Sequence, residues 1–541
     1  QINKLMKKLS TTLILLLASF SVAMATEYNG KLKVTINGAS TYQDDVFTVN
    51  DNGDGTYTFL LKNFILSAGG NDMPVGNIEI ANVNGTKQGD VTVINVSQGI
   101  TITQGDDPAY QPSEWMGPML SMGSGGSIPI ELTAEINEYG LYAHIDIDMM
   151  STMKQVIEVT FSSGYQIKNS GFETFHEASV TNPMSPDETV TSDEPDNWHS
   201  FMSATNDGLS SILAWFAMNA PHTFASNDVR PGSAGQSSLL ITSSPTPIGV
   251  IANGTVTTGR LNAGAIDAAD TKNHSYSDLT VTDVDANGDP FYSKLNARPD
   301  SLIVWVKFKQ TDPSKEYPYA TIKAVVTDGT YYQDPEDKEY TNVLARAVNN
   351  TIESNGFVWQ RLAIPFEYTA NASTLTPKVI HVTASTNATP GKGSIDSLFI
   401  DDMSLVYNCG VSEVKVKGVP VPNFSEGQYE YNVKVAYTSL TADDVVVTAT
   451  GAGTIVEKSI ENTESGATVT IKATSNDMLE IKTYTVNVEK DKTNGITPDT
   501  VIESEIKDIY TIEGIKVTEM LPGNIYIVKY SDGKIKKVIK K

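Results

Sequence analysis

Apolar and polar residues alternate along most of this chain with a period of two, the repeat of a strand that buries one face and wets the other. Leu32, Val34 and Ile36 point one way while Lys31, Lys33 and Thr35 point the other. The turn-forming run Asn50-Asp51-Asn52-Gly53-Asp54-Gly55 reverses the chain, and alternating stretches follow at 57–66, 77–83, 91–96, 128–136, 142–149 and 156–161. Sustained 3.6-residue periodicity is scarce, and the apolar run 212–218 is far too short to cross a bilayer. The pattern predicts an all-β, multidomain protein. An up-and-down barrel or sandwich falls over 27–165 and a longer-looped β unit over 166–408. A sandwich of about seven strands follows over 411–490, then a linker at 491–498 and a small β module at 499–541.

Composition narrows the partners. Among 541 residues, 64 acids against 39 Lys and Arg give a net charge of −25, which disfavours nucleic acid because phosphate neutralisation needs a basic surface. One cysteine excludes an internal disulfide framework and a Cys-rich metal site. Lys7-Lys8, an apolar run at 13–18 and then Ala23-Met24-Ala25 have the layout of a secretory signal. Removal of 1–25 is expected, leaving a product with no transmembrane segment, secreted or on the cell surface at the exterior of the outer membrane.

Four stretches resemble known families. Tyr28-Asn29-Gly30, Gly55-Thr56-Tyr57, Lys62-Asn63-Phe64 and Val75-Gly76-Asn77-Ile78 resemble the calycin-like β-barrel domain of secreted Bacteroidetes proteins. Asn169-Ser170-Gly171-Phe172-Glu173, Trp198, Arg230-Pro231-Gly232-Ser233, Thr257-Thr258-Gly259-Arg260, Arg298-Pro299-Asp300 and the closing Ile400-Asp401-Asp402 resemble the carbohydrate metabolism domain, a jelly-roll akin to carbohydrate-binding modules. Tyr429-Glu430-Tyr431 through Tyr484-Thr485-Val486 resembles a cadherin-like or immunoglobulin-like sandwich. Residues 509–528 and the basic end 534–541 resemble the C-terminal sorting domain of type IX secretion, with Ile515 where an Arg is usual. Together these resemblances imply glycan binding without catalysis in a polysaccharide-utilising bacterium. A glycoside hydrolase and an adhesion protein engaging other surface proteins are the alternatives.

In the jelly-roll modules this unit resembles, first and last strands lie side by side, so Glu173 would meet Asp401 and Asp402. Three clustered carboxylates suit a structural Ca²⁺, a hard cation that takes oxygen ligands. The same acids at the right separation would instead form a glycosidase pair. No catalytic residue is assigned. Sugar rings pack their C–H faces on aromatic rings, and Trp115, Trp215, Tyr331 and Tyr332 are the candidate platforms, while Trp198, Trp305 and Trp359 read as packing residues. Asp283-Val284-Asp285-Ala286-Asn287-Gly288-Asp289 starts like a calcium loop, but its twelfth position is Lys294, so it reads as a solvated turn. His144, Asp146 and Asp148 share a strand face in the ordinary polar-out pattern, and the six histidines offer no closely spaced ligand pair.

Overall fold

The computed structural model describes residues 24–68, 71–150, 153–425, 427–491, 506–531 and 533–540. The signal-like segment up to residue 23 and linker residues 492–498 lie outside them. No helix among the described residues is long and apolar enough to cross a membrane.

The first strands are β1 (Met24–Ile36), β2 (Ala39–Asp51), β3 (Thr56–Ala68), β4 (Asn71–Gln88), β5 (Val91–Ile100), the short β6 (Ile102–Thr103), β7 (Ile128–Ile136), β8 (Leu141–Met149) and β9 (Gln155–Ser163). They hydrogen-bond in the order β3-β2-β1-β9-β8-β7-β5-β4, and β4 pairs back onto β3, so eight strands close into a barrel with β6 added beside β4. The alternation read from sequence is the inside–outside alternation of this barrel: Leu32, Phe47, Phe59, Ile94, Leu132 and Phe161 point inward and are almost wholly buried. Phe47 and Phe161 pack at 5.2 Å between ring centroids, and the lumen is filled by side chains. Gly30 is required where it stands, because a Cβ there would lie 2.4 Å from the Ser162 carbonyl oxygen on β9.

A second body follows. Its eight principal strands, in chain order Ser238–Thr242, Thr255–Thr257, Ser301–Lys309, Ala320–Thr327, Val343–Ile352, Gln360–Pro365, Val379–Ser385 and Ser397–Val406, form two sheets. The first, eighth, third and sixth make one sheet, and the second, seventh, fourth and fifth the other. That order is a jelly roll. Val304, Val306 and Ile400 on one sheet meet Ile322, Ala324 and Val382 on the other in a fully buried core. A hairpin of β10 (Phe175–Asn182) and β11 (Ser185–Pro195), a helix at Ser211–Met218 and a three-stranded sheet (Arg260–Ala263, Asn273–Ser277, Tyr332–Asp334) surround the sandwich.

The Asn169–Glu173 opening is a tight knot. Asn169 accepts the N–H groups of Glu173 and Thr174 and donates to the Thr174 and Asp196 carbonyls. Phe172 is held at φ 55° against Trp198, whose indole N–H donates to the Lys168 carbonyl. The body's two ends meet: Gln166 and Leu405 exchange two hydrogen bonds (2.8 and 2.7 Å), Met403 N–H donates to Ser170 O and Tyr407 Oη–H to Tyr165 O.

The described residues of 410–449, 456–473 and 482–541 form a further unit. Within it, Val411–Val416 pairs with Val419–Pro420 and Val445–Ala449. Glu430–Val435 runs parallel to Ile481–Lys490. The C-terminal strands Ile506–Thr511, Lys516–Val517, Ile525–Tyr530 and Ile535–Ile539 form their own four-stranded sheet.

Candidate functional site

Along the sheet strand Ala320–Thr327 and its neighbours, one set of side chains (Val256, Ile322, Ala384) enters the core. The alternate set (Thr255, Thr321, Lys323, Thr383, Ser385) faces the opposite way. The helix Ser211–Met218 and the three-stranded sheet lie opposite that second face and leave a groove of about 200 Å³. One wall is hydroxyl and amide: Thr255, Thr321, Thr383, Ser385, Asn253 and Asn387. The other is apolar, with half-buried Phe201 and Phe216, and Ile248 and Ile266 stand 46% and 49% exposed beside it. Asn253 donates to the Ser385 hydroxyl and the Asn387 carbonyl, while its Oδ1 is buried without a partner. Asp334 is the one carboxylate in the lining, and Lys323 Nζ holds its Oδ1 at 2.9 Å.

Ser275 lines the groove, and its Oγ lies 2.7 Å from His381 Nε2. No carboxylate orients the other ring nitrogen, Nδ1, which is buried without a partner. Burial pushes His381 down to about 3, helped by the neighbouring His274 and Lys323, so the ring stays neutral. A serine beside a histidine that lacks its carboxylate is not a nucleophile triad.

The aromatic candidates separate by burial. Trp115 is buried against Gly105 and Tyr110, Trp215 is turned into the packing of the helix, and Tyr332 is buried beside Tyr340 and His381. None of these three can offer a ring face to a sugar. Tyr331 is 38% exposed and stacks on Tyr276 at 5.8 Å and 28°. Its hydroxyl reaches His274, which lines the groove. Trp305, expected in the core, is half-buried on the outer face of its sheet, with the Arg230 guanidinium 5.4 Å over its ring. Sequence reading missed Phe201, Phe216 and Asn253. The run 212–218, noted only as too short to cross a bilayer, is a helix, and its rotation decides that Phe216 faces the groove and Trp215 the interior.

Glu173, Asp401 and Asp402 do meet at the corner where the body's ends join. Burial, with repulsion from Asp402 and Glu173 added, pushes Asp401 up to about 6 against the lowering effect of the Arg230 N–H. Yet donors surround these acids. Arg230 Nε and the Ser233 hydroxyl bond Asp402, Arg230 N–H bonds Asp401, and the N–H groups of Gln236 and Ser237 bond Glu173 at 2.9 and 3.2 Å. A Ca²⁺ ion needs six to eight oxygens, whereas here a guanidinium already supplies the positive charge. Asp401 Oδ1 is buried without a hydrogen-bond partner, and Arg230 competes with an ion for the other oxygens.

The fold and site together define a multidomain β protein in which a closed barrel precedes a jelly roll carrying a two-faced groove. Residues 24–163 match the calycin-like β-barrel domain family. Among solved structures, the chain is similar to that of the M60 catalytic domain with two CBM51 domains of ZmpB from Clostridium perfringens. The identity is 9% and the TM-score 0.14, covering 95% of this chain and 44% of that one, a likeness too slight to carry an argument. No curated protein matches the chain.

Proposed function

We propose that this chain is an exported, non-catalytic carbohydrate-binding protein whose ligand lies in the jelly-roll groove. The observation that carries the reading is the groove's two-faced lining. Half-buried phenyl rings on one wall suit the C–H face of a sugar ring, and hydroxyl and amide groups on the other suit its hydroxyls. The Tyr276–Tyr331 stack extends the platform past His274. A glycosidase working by two carboxylates finds a single one in this groove, already held by Lys323. The signal-like 1–25 and the sorting-like C-terminal module support a place outside the cell or on its surface, in a polysaccharide-utilising bacterium of the Bacteroidetes.

The test is a glycan array probed with the full chain, with released sugars assayed on the same glycans. Binding without release is expected, weakened about tenfold or more by Phe216→Ala and by Tyr331→Ala. Tyr331, being partly exposed, can be removed with little change in stability. Retention of binding in both variants, or sugar release by the intact chain, would overturn the reading.

A further inference from the structure

Away from the groove, four chain segments converge on a cluster of buried polar groups. His176 on β10 stands directly across the hairpin from Glu194 on β11. His199 follows in the next loop, where its backbone exchanges two hydrogen bonds with Thr257 (2.8 and 2.9 Å). Asp285 comes from the loop 283–290, closed by the Val284–Pro290 bridge. Residues Glu194 and His199 are 0% exposed, and the side chains of Asp285 and His176 are 1% and 12% exposed.

Three of the groups are held by one side-chain atom and leave another without a hydrogen-bond partner, facing inward. Asp285 Oδ1 accepts the N–H groups of Asn287 and Asp289 (2.9 and 2.8 Å), and its Oδ2 has no partner. Glu194 Oε1 accepts the Ser200 N–H and the Ser203 hydroxyl, and its Oε2 has none. His176 Nδ1 lies 3.0 Å from Asp196 Oδ1, which leaves Nε2 unpartnered, and neither ring nitrogen of His199 has a partner. The facing atoms sit 3.5–3.6 Å apart: His176 Nε2 to Glu194 Oε2 and to Asp285 Oδ2, and His199 Nε2 to Asp285 Oδ2. Those gaps exceed a charge-assisted N–H···O bond of about 2.7–2.9 Å. They approach the edge of a tetrahedron whose metal–ligand bonds are about 2.0–2.1 Å, roughly 3.3 Å.

We propose that His176, Glu194 and Asp285, whose ligand atoms lie within 4.8 Å of one another, form a buried structural site for a divalent transition ion of the zinc type, with His199, 3.5 Å from Asp285 Oδ2, drawn in as the fourth donor when the ion binds. Two imidazoles beside two carboxylates favour such an ion over calcium or magnesium, which prefer all-oxygen sets. A divalent ion with neutral imidazoles cancels both carboxylate charges, which removes the cost of burying them. The Asp196 contact to His176 Nδ1 is the outer hydrogen bond that fixes a ligand histidine's tautomer. Burial leaves no open position, so the ion's work is to pin the hairpin, the 196–204 loop and the 283–290 loop together.

The test uses the full chain, stripped with a chelator and titrated with Zn²⁺ or Co²⁺ alone. One equivalent of bound metal, a raised unfolding temperature and the visible absorption of tetrahedral Co²⁺ are expected. Asp285→Asn and His199→Ala should each weaken binding about a hundredfold or more, while His144→Ala, on the barrel, leaves it unchanged. The Co²⁺ spectrum of the unaltered chain decides the matter even if a variant does not fold. No bound metal and no thermal shift in the unaltered chain, or equal binding in the Asp285 and His199 variants, would overturn the proposal and leave an ion-pair cluster.

Discussion

His381 makes a quantitative claim about acid. Its ring is fully enclosed between Ser275, Thr383, the edge of Tyr332 and Gly259, where a Cβ would come within 2.5 Å of Cε1. The folded ring titrates at about 3 against 6.5 for an ordinary histidine, because burial opposes the charged form and His274 and Lys323 add repulsion. The unfolded chain therefore binds a proton that the folded chain refuses. The stability this supplies is fully present above pH 6.5 and is lost as pH falls from 6.5 towards 3. Each pH unit in that window is worth about 1.4 kcal/mol, so at pH 4.5 the loss is about 3 kcal/mol. His381→Gln keeps a hydrogen-bonding head towards Ser275 and removes the titration. Urea unfolding at pH 7.5 and 4.5, followed by tryptophan fluorescence in a Trp115→Phe background, reports on the jelly roll, which contains Trp198, Trp215, Trp305 and Trp359. The parent should lose about 3 kcal/mol more than the glutamine variant on acidification. Equal losses in the two proteins would refute the reasoning.

Asp401 works in the opposite sense. With its carboxyl raised from 3.8 to about 6, the folded state takes up the proton first, so stability rises as pH falls from about 6 to 3.8. Asp401→Asn should abolish that rise in the same unfolding assay. Trp198→Ala removes a wholly buried indole and strands the Lys168 carbonyl, so it should cost about 3–5 kcal/mol by urea titration, while the barrel's unfolding transition stays in place. Adding Ca²⁺ to chelator-treated protein should leave the calorimetric unfolding temperature unchanged. A rise that Glu173→Gln abolishes would instead show that the Arg230 corner accommodates the ion.

The barrel was legible because closure imposes the simplest of patterns, alternate residues in and out, and the expected strand at 128–136 is β7 itself. The meeting of Glu173 with Asp401 and Asp402 was also anticipated, since jelly-roll ends lie together. What escaped was the identity of the charge between them, because Arg230 comes from a loop distant in sequence. The histidine cluster escaped for a related reason. His199 and Asp285 are brought together by the fold, and no spacing in the chain announces that. The 283–289 segment is the turn it was expected to be, yet Asp285 divides its carboxylate, one oxygen closing the turn and the other directed at His176 and His199. Residue type gave the turn, and burial decided the chemistry.

The paired ends of the jelly roll have a mechanical consequence. If the chain is held at both sides of this body and pulled, force enters near residues 165 and 408, at points already bonded to one another. Tension then passes across the Tyr165–Tyr407, Gln166–Leu405 and Ser170–Met403 links in turn, like the teeth of a zipper, before it reaches the interior of the two sheets. The groove feels no load until those links have parted, so the chain can be slack or taut while the groove's walls keep their shape.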